Sequence, residues 1–136
     1  MDRIIDALLR VKNALIYAVK GIGYGFYSRK NMTVFLTVAV LVAVLLTWLG
    51  TSKIKFTIIL ASWLLVIIME ITNSAIEKII DTLHPSYSEG IGHAKDMMAG
   101  AVFIALLAAI IVTLLMIWDP LVYKLFKVSS DIQSLR

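Results

Sequence analysis

The sequence predicts an all-α integral membrane protein with three transmembrane helices and an N-terminal amphipathic surface helix, in a single membrane domain over 1–136. Composition is the first observation. Of the 136 residues, 60% are hydrophobic and 16% are charged, whereas an ordinary soluble domain has about 25% charged residues. The second observation is three long apolar runs, each suited to a hydrocarbon core about 30 Å thick. A soluble chain of this length could not bury so much apolar surface.

The first element is a predicted helix over 2–20. Its apolar residues recur at helical spacing, with charged and polar residues between them; they are Ile4, Ile5, Leu8, Leu9, Val11, Leu15 and Val19. This pattern is typical of a helix that lies on the membrane surface. Anchoring the protein and binding a ligand are both compatible with it.

Three long helices follow. Backbone groups in lipid must form their hydrogen bonds within the segment, so each apolar run is expected to be helical. The predicted ranges are 32–49, 56–83 and 97–118, followed by a tail over 119–136. His84-Pro85 should end the second long helix, because proline disfavours helix at the preceding residue. Ser86 to Gly92 is predicted to be a loop, with the third helix opening at His93 to Asp96.

Charge favours a cytoplasmic N-terminus. With that orientation eight Lys and Arg residues lie inside and five outside, as the positive-inside rule prefers. Trp48 and Trp118 then fall near the outer interface, and the polar second connection lies in the cytoplasm. The net charge is +4, and the sequence has no dense basic stripe. Such a charge suits lipid headgroups or a phosphorylated ligand, and no nucleic-acid partner is expected.

Acidic residues are concentrated in one segment. Five of the nine lie between Glu70 and Asp96, and none lies between Asp6 and Glu70. At about 100° per residue, Glu77 and Asp81 fall within about 20° of Glu70 around a helix, and Asn73 and Ser74 flank that line. A carboxylate in an apolar helix is costly unless it is compensated, so Glu70 is a functional candidate.

The polar stripe on this helix needs a partner other than lipid. A metal ion, a phosphorylated ligand, or the basic residues of the first helix would each serve, and so would a polar seam between packed helices or subunits. Lys95, at the predicted start of the third helix, is placed to meet a phosphate. Asp96 is placed to bind a metal or to cap that helix.

The residues also resemble a known family. Glu70-Ile-Thr-Asn73-Ser-Ala-Ile-Glu77-Lys-Ile-Ile-Asp81, followed by Ala94-Lys95-Asp96, is similar to the signature of the small bacterial lipid kinases, prokaryotic diacylglycerol kinase and undecaprenol kinase. The resemblance implies a homotrimer in the bacterial inner membrane, with active sites shared between subunits. It also implies transfer of the ATP γ-phosphate, with magnesium, to a lipid hydroxyl of diacylglycerol or undecaprenol.

The resemblance assigns a role to each matching residue. Glu70 would be the catalytic base and Glu77 the magnesium ligand. The nucleotide would be held by Arg10, Tyr17, Asn73, Tyr87, Lys95 and Asp96. Small residues at Ala101, Ala105 and Ala109 predict a closely packed face on the third helix, which fits a trimer.

One position departs from the family pattern. The family has a second metal-binding glutamate nine residues after the lysine of the Lys-Gly-Ile motif, and this chain has Arg29 there. Arg29, with Lys30, is instead a candidate phosphate contact. Two alternatives to a kinase therefore stay open. One is a homologue that handles a phosphorylated lipid without ATP-dependent kinase activity, and the other is a small transporter or structural subunit.

Overall fold

A computed structural model of the protein describes residues 2–28, 30–86 and 88–134. Four helices account for nearly all of them: α1 (Asp2–Ser28), α2 (Lys30–Leu49), α3 (Lys53–Leu83) and α4 (Glu89–Ser134). The last three are long and apolar enough to cross a membrane. The predicted fold class, three spans preceded by an N-terminal helix, is therefore confirmed.

The first two spans have the predicted ends within a few residues. The turn from α2 to α3 contains Gly50, which has a φ of 66°, a conformation that glycine adopts without steric cost. Ser52 caps α3 by accepting a hydrogen bond from the Lys55 backbone N–H at 3.4 Å. At the other end the His84 N–H donates to the Ile80 carbonyl at 2.8 Å, and α3 stops before Pro85 as predicted.

The prediction for the start of α4 was wrong. The helix begins at Glu89, so the predicted loop over Ser86 to Gly92 is shorter and His93 already lies inside the helix. Ser88 explains the difference, because its hydroxyl accepts from the Ile91 N–H at 3.4 Å and its carbonyl from the Gly92 N–H at 3.0 Å. With a cap in place, Gly90 and Gly92 cost only about 1 kcal/mol each.

The predicted tail also continues as helix. α4 runs through Pro120 to Ser134 and has 46 residues, which corresponds to about 69 Å. This is more than twice the thickness of a hydrocarbon core, so α4 extends beyond the membrane. α1 is likewise longer than predicted and continues past residue 20 through three glycines to Ser28.

The core is centred on α3. Ile59, Trp63 and Val66 of α3 are buried against Ala39 and Leu46 of α2 and against Ala109 of α4, which completes one apolar cluster. Ala105 packs against the same cluster. Ala105 and Ala109 of the predicted small-residue face of α4 are therefore packed within one chain. The trimer that this face was taken to support stays a prediction.

Candidate active site on α3

The functional residues predicted for α3 lie on its second half. We call this region the carboxylate end and define it as Glu70, Asn73, Glu77, Asp81 and Lys95. The first four are spaced three or four residues apart along one helix, which places their side chains on one face. Lys95 joins them from the second turn of α4.

Glu70 and Asn73 are buried without complete hydrogen bonding. Glu70 is 2% exposed and Asn73 is 4% exposed. Within the part of the chain that the structure describes, Glu70 Oε1 and Asn73 Oδ1 have no hydrogen-bond partner. A buried polar atom without a partner costs about 1–3 kcal/mol, and more if it is charged. Two such atoms one turn apart make this part of α3 a candidate ligand site.

Asn73 also fixes the next carboxylate. Its amide Nδ2 donates to Glu77 Oε1 at 3.0 Å, a contact between positions i and i+4 of the predicted polar stripe. The amide nitrogen holds one carboxylate oxygen of Glu77, while the buried carbonyl oxygen of Asn73 has no partner among the described residues. Asn73 is therefore a positioning residue for Glu77 as well as a ligand candidate.

Lys95 connects α4 to the carboxylate end. Its ammonium contacts Asp81 Oδ1 at 2.5 Å, so the polar stripe of α3 and the Lys95-Asp96 pair are neighbours in space. Because α4 begins at Glu89, neither Lys95 nor Asp96 lies at a helix N-terminus, and the capping explanation for Asp96 was wrong. Lys95 can still meet a phosphate through its own charge.

The remaining predicted residues are more dispersed. Arg10 and Tyr17 on α1, and Asp96 on α4, are exposed. None of their side chains forms a hydrogen bond or an ion pair with another described residue. Tyr87 and Arg29 lie outside the described residues. The backbone of Lys30 belongs to α2, but its side chain is not among those described.

Oxygen donors suited to magnesium are present. Mg²⁺ in kinase sites is bound by one or two carboxylates together with substrate phosphates. Glu77 and the unpartnered Asn73 Oδ1 supply donors of that kind. The described residues contain no group of three or more His, Cys, Asp or Glu that could hold a metal alone. The donor set therefore fits a metal that arrives with a nucleotide.

A cleft that the sequence did not predict lies beside the stripe, between α1 and α3. It has a volume of about 720 Å³, and its lining includes Gly21, Tyr24 and Tyr27 from α1 and Ile71, Ser74 and Lys78 from α3. The sequence signal was the spacing of Gly21 and Gly25, since small residues four apart allow helices to approach closely. A Cβ at Gly25 would lie 3.4 Å from Ile71 Cγ1.

The comparison with known proteins agrees with this arrangement. Residues 16–117 of the chain match the family described as prokaryotic diacylglycerol kinase. The chain belongs to the prokaryotic diacylglycerol kinase family. The matched region contains α3 and its carboxylate end, α2, the glycines of α1, and most of the membrane-spanning part of α4.

Individual members of this family are also similar. The chain is 43% identical over 83 residues to the diacylglycerol kinase of Escherichia coli strain K12, which covers 60% of this chain and 68% of that protein. It is 34% identical over 102 residues to the diacylglycerol kinase of Haemophilus influenzae, covering 73% and 84%. For the diacylglycerol kinase of Synechocystis, the identity is 34% over 106 residues, covering 77% and 61%. Lipid kinase is thus the class that similarity supports among the three left open by the sequence.

Proposed function

We propose that the protein is a magnesium-dependent membrane kinase that transfers the γ-phosphate of ATP to a lipid hydroxyl. The observation that carries the proposal is Glu70, a carboxylate that is 2% exposed and has an oxygen without a partner among the described residues. Such a carboxylate is costly as a purely structural group. A hydroxyl that donates to it would remove that cost, and a lipid kinase needs a hydroxyl held in this way.

The reaction assigns a proton to Glu70. The lipid hydroxyl oxygen forms a bond with the γ-phosphorus while the bond to the bridging β,γ-oxygen breaks, ADP leaves, and the hydroxyl proton passes to Glu70. Phosphoryl transfer depends mainly on positioning and on neutralisation of charge. Burial of Glu70 in α3 fixes the base, and the apolar surroundings keep water away from the transferred group.

The rest of the carboxylate end would hold the nucleotide. Glu77, oriented by the Asn73 amide at 3.0 Å, and Asn73 Oδ1 would bind magnesium. The ion, when bound, neutralises charge on the phosphates. Lys95, already placed by Asp81, would contact a phosphate, and Arg10, Tyr17, Tyr87 and Asp96 would complete the nucleotide site.

A homotrimer in the bacterial inner membrane suits this chemistry. The described residues of one chain bring Glu70, Asn73, Glu77 and Lys95 together but leave Arg10, Tyr17 and Asp96 exposed, so a neighbouring subunit can supply part of each site. The excess of Lys and Arg on the side of the carboxylate end favours the cytoplasm, where ATP is available. Diacylglycerol is the acceptor that the names of the relatives suggest, and undecaprenol is the other candidate.

Arg29 favours a second candidate function. An arginine cannot replace a metal-binding glutamate, but it can bind a phosphate directly. A protein that binds or exchanges a phosphorylated lipid, without using ATP, would need such a residue and would not need the second metal ligand.

One assay separates the two functions. Purified protein in lipid nanodiscs is given γ-labelled ATP with diacylglycerol or a polyprenol, with and without magnesium, and the label in the lipid is measured. The kinase proposal predicts magnesium-dependent labelling of one acceptor, which Glu70→Gln abolishes. Absence of labelling with both acceptors, together with no binding of ATP, would instead favour the phosphorylated-lipid function.

A further inference from the structure

The cleft between α1 and α3 contains a cation that the proposed reaction does not use. Lys78 is the one charged residue among the described residues that line it. Its side chain is exposed, and no described residue forms an ion pair with it. The nearby acidic residue Asp81 pairs with Lys95 instead. The ammonium of Lys78 is therefore available to a ligand in the cleft.

The cleft itself has the chemistry of an amphiphile site. Ile71, Ala75 and the two glycines of α1 give it apolar walls, and the Ser74 hydroxyl and the Lys78 ammonium give it a polar edge. A volume of about 720 Å³ is in the range of small-ligand pockets. An apolar chain with an anionic or hydroxyl headgroup matches both parts of this lining.

The position of Lys78 along α3 indicates which headgroup it would meet. Ser74 is one turn from Glu70, and Lys78 is one turn further, about 12 Å along the axis from Glu70. Side chains on a helix tilt towards its N-terminus, which for Lys78 is towards Glu70. Glu77, the proposed metal ligand, is the preceding residue. Lys78 thus lies about two turns beyond Glu70 on the side of α3 that lines the cleft, where it is the charged group that the phosphate of a bound lipid would meet.

We propose that the α1–α3 cleft binds a lipid phosphate monoester, with Lys78 contacting the phosphate and the apolar walls contacting the chain. This inference rests on the proposed function, because the ligand class is that of the reaction product. Lys78 is then a specificity-determining residue, which makes the protein retain the phosphorylated lipid more strongly than the unphosphorylated acceptor.

The test measures binding and needs no turnover. A short-chain lysophosphatidate and the matching monoacylglycerol are titrated into the detergent-solubilised full-length protein by calorimetry, with inorganic phosphate and ATP as further probes. Lys78→Gln should weaken lysophosphatidate binding by at least about tenfold, since hydrogen bonds to charged groups are worth that much. Binding of monoacylglycerol and ATP should be unchanged. Lys53→Gln is the matched control, because Lys53 lies on the same helix at its opposite end.

A second variant tests the cleft. A Cβ at Gly21 would have nothing within 4 Å, so Gly21→Leu fills the space without a clash and should weaken both lipid probes by at least about tenfold. Ala75→Leu narrows the same cleft from α3 and should weaken binding of both lipid probes in the same way. With two variants, a folding defect in one of them does not prevent the test.

Several results would overturn the inference. Unchanged lysophosphatidate affinity in Lys78→Gln would do so, as would an equal loss for both lipid probes. A loss confined to ATP or inorganic phosphate would assign Lys78 to the nucleotide or to free anions. If Gly21→Leu changes the oligomeric state and not the lipid affinity, the cleft is occupied by a second copy of the chain. These measurements do not use ATP turnover. The kinase proposal can therefore fail while Lys78→Gln still weakens lysophosphatidate binding, and the kinase proposal can hold while Lys78→Gln leaves that binding unchanged.

Discussion

The two ends of the α3–α4 pair contain similar polar residues but differ in how those residues are hydrogen-bonded. We call the opposite end the tryptophan end and define it as Trp48, Lys55, Asp119 and Lys124, which are paired with one another. Lys55 bonds Asp119 at 3.2 Å, and Lys124 bonds the Trp48 carbonyl at 2.9 Å and lies over its ring. At the carboxylate end, Glu70 Oε1 and Asn73 Oδ1 are buried without a described partner.

This difference separates structural polar groups from functional ones. A membrane protein stabilises its fold by satisfying polar groups internally, because lipid offers no hydrogen bonds. The tryptophan end does so for Lys55, Asp119 and Lys124, whose polar groups bond within the chain. At the carboxylate end, Glu70 Oε1 and Asn73 Oδ1 stay unpaired among the described residues, and the ligand proposed above would remove the cost of burying them. Each of the following changes tests one side of that contrast.

The largest effect is expected from Glu70→Gln. The substitution keeps the shape of the side chain and removes the base, so turnover should fall by at least about 100-fold, while ATP affinity changes much less. The amide is also less costly to bury than an unpaired carboxylate, so thermal stability should be equal or higher. Label transfer from ATP and thermal unfolding in detergent are the two measurements. Near-normal turnover in Glu70→Gln would make Glu70 a structural residue.

A second change introduces the carboxylate that the family pattern has at position 29. Arg29→Glu restores the family pattern. If weak metal binding limits the kinase, the variant should bind magnesium at least about tenfold more tightly. Loss of a group that only orients a metal ligand already weakens metal affinity by about that factor, so a gained ligand should have at least the same effect. Magnesium titrations of ATP turnover and of ATP binding measure this. Lys53→Glu is the control, because it makes the same kind of charge change at the opposite end of α3. If Arg29 binds a phosphorylated lipid, Arg29→Glu should abolish that binding through repulsion.

The sequence predicted the parts of this structure that depend on local pattern. Uncharged apolar runs predicted α2, α3 and α4, and helical spacing placed Asn73 and Glu77 on one polar stripe, along which they form a 3.0 Å hydrogen bond. The start of α4 was missed because Ser88 as a cap outweighs the neighbouring glycines. The pairing of Lys95 with Asp81 and the cleft beside Lys78 depend on how helices distant in sequence pack. The periodicity of residues within one helix contains no information about which distant helix it packs against.

A third change breaks a buried hydrogen bond of the core between α3 and α4. Trp63 Nε1 donates to Thr113 Oγ1 at 3.0 Å in the core between α3 and α4. Thr113→Val keeps the volume and leaves the indole N–H without an acceptor, which should lower the free energy of unfolding by about 1–3 kcal/mol. Turnover at a permissive temperature should be unchanged, in contrast to Glu70→Gln. Thr37→Val, at an exposed position of α2, should have almost no effect on unfolding. A loss of turnover in Thr113→Val without a loss of stability would contradict the division between the two ends.

The smallest effects are expected when two ion pairs of similar exposure are broken. Lys55 and Asp119 are 31% and 80% exposed, and Lys95 and Asp81 are 35% and 59% exposed. Such exposed pairs contribute less than about 1 kcal/mol, and salt screens them. Asp119→Asn and Asp81→Asn should therefore have equally small effects on thermal unfolding. They should differ in ATP binding, because only Asp81 fixes a lysine proposed to contact a phosphate. At low salt, Asp81→Asn should weaken ATP affinity by about two- to fivefold, and Asp119→Asn should leave it unchanged. Equal ATP affinities for the two variants would mean that the Asp81–Lys95 pair is as structural as the pair at the tryptophan end, and Lys95 would lose its place in the nucleotide site.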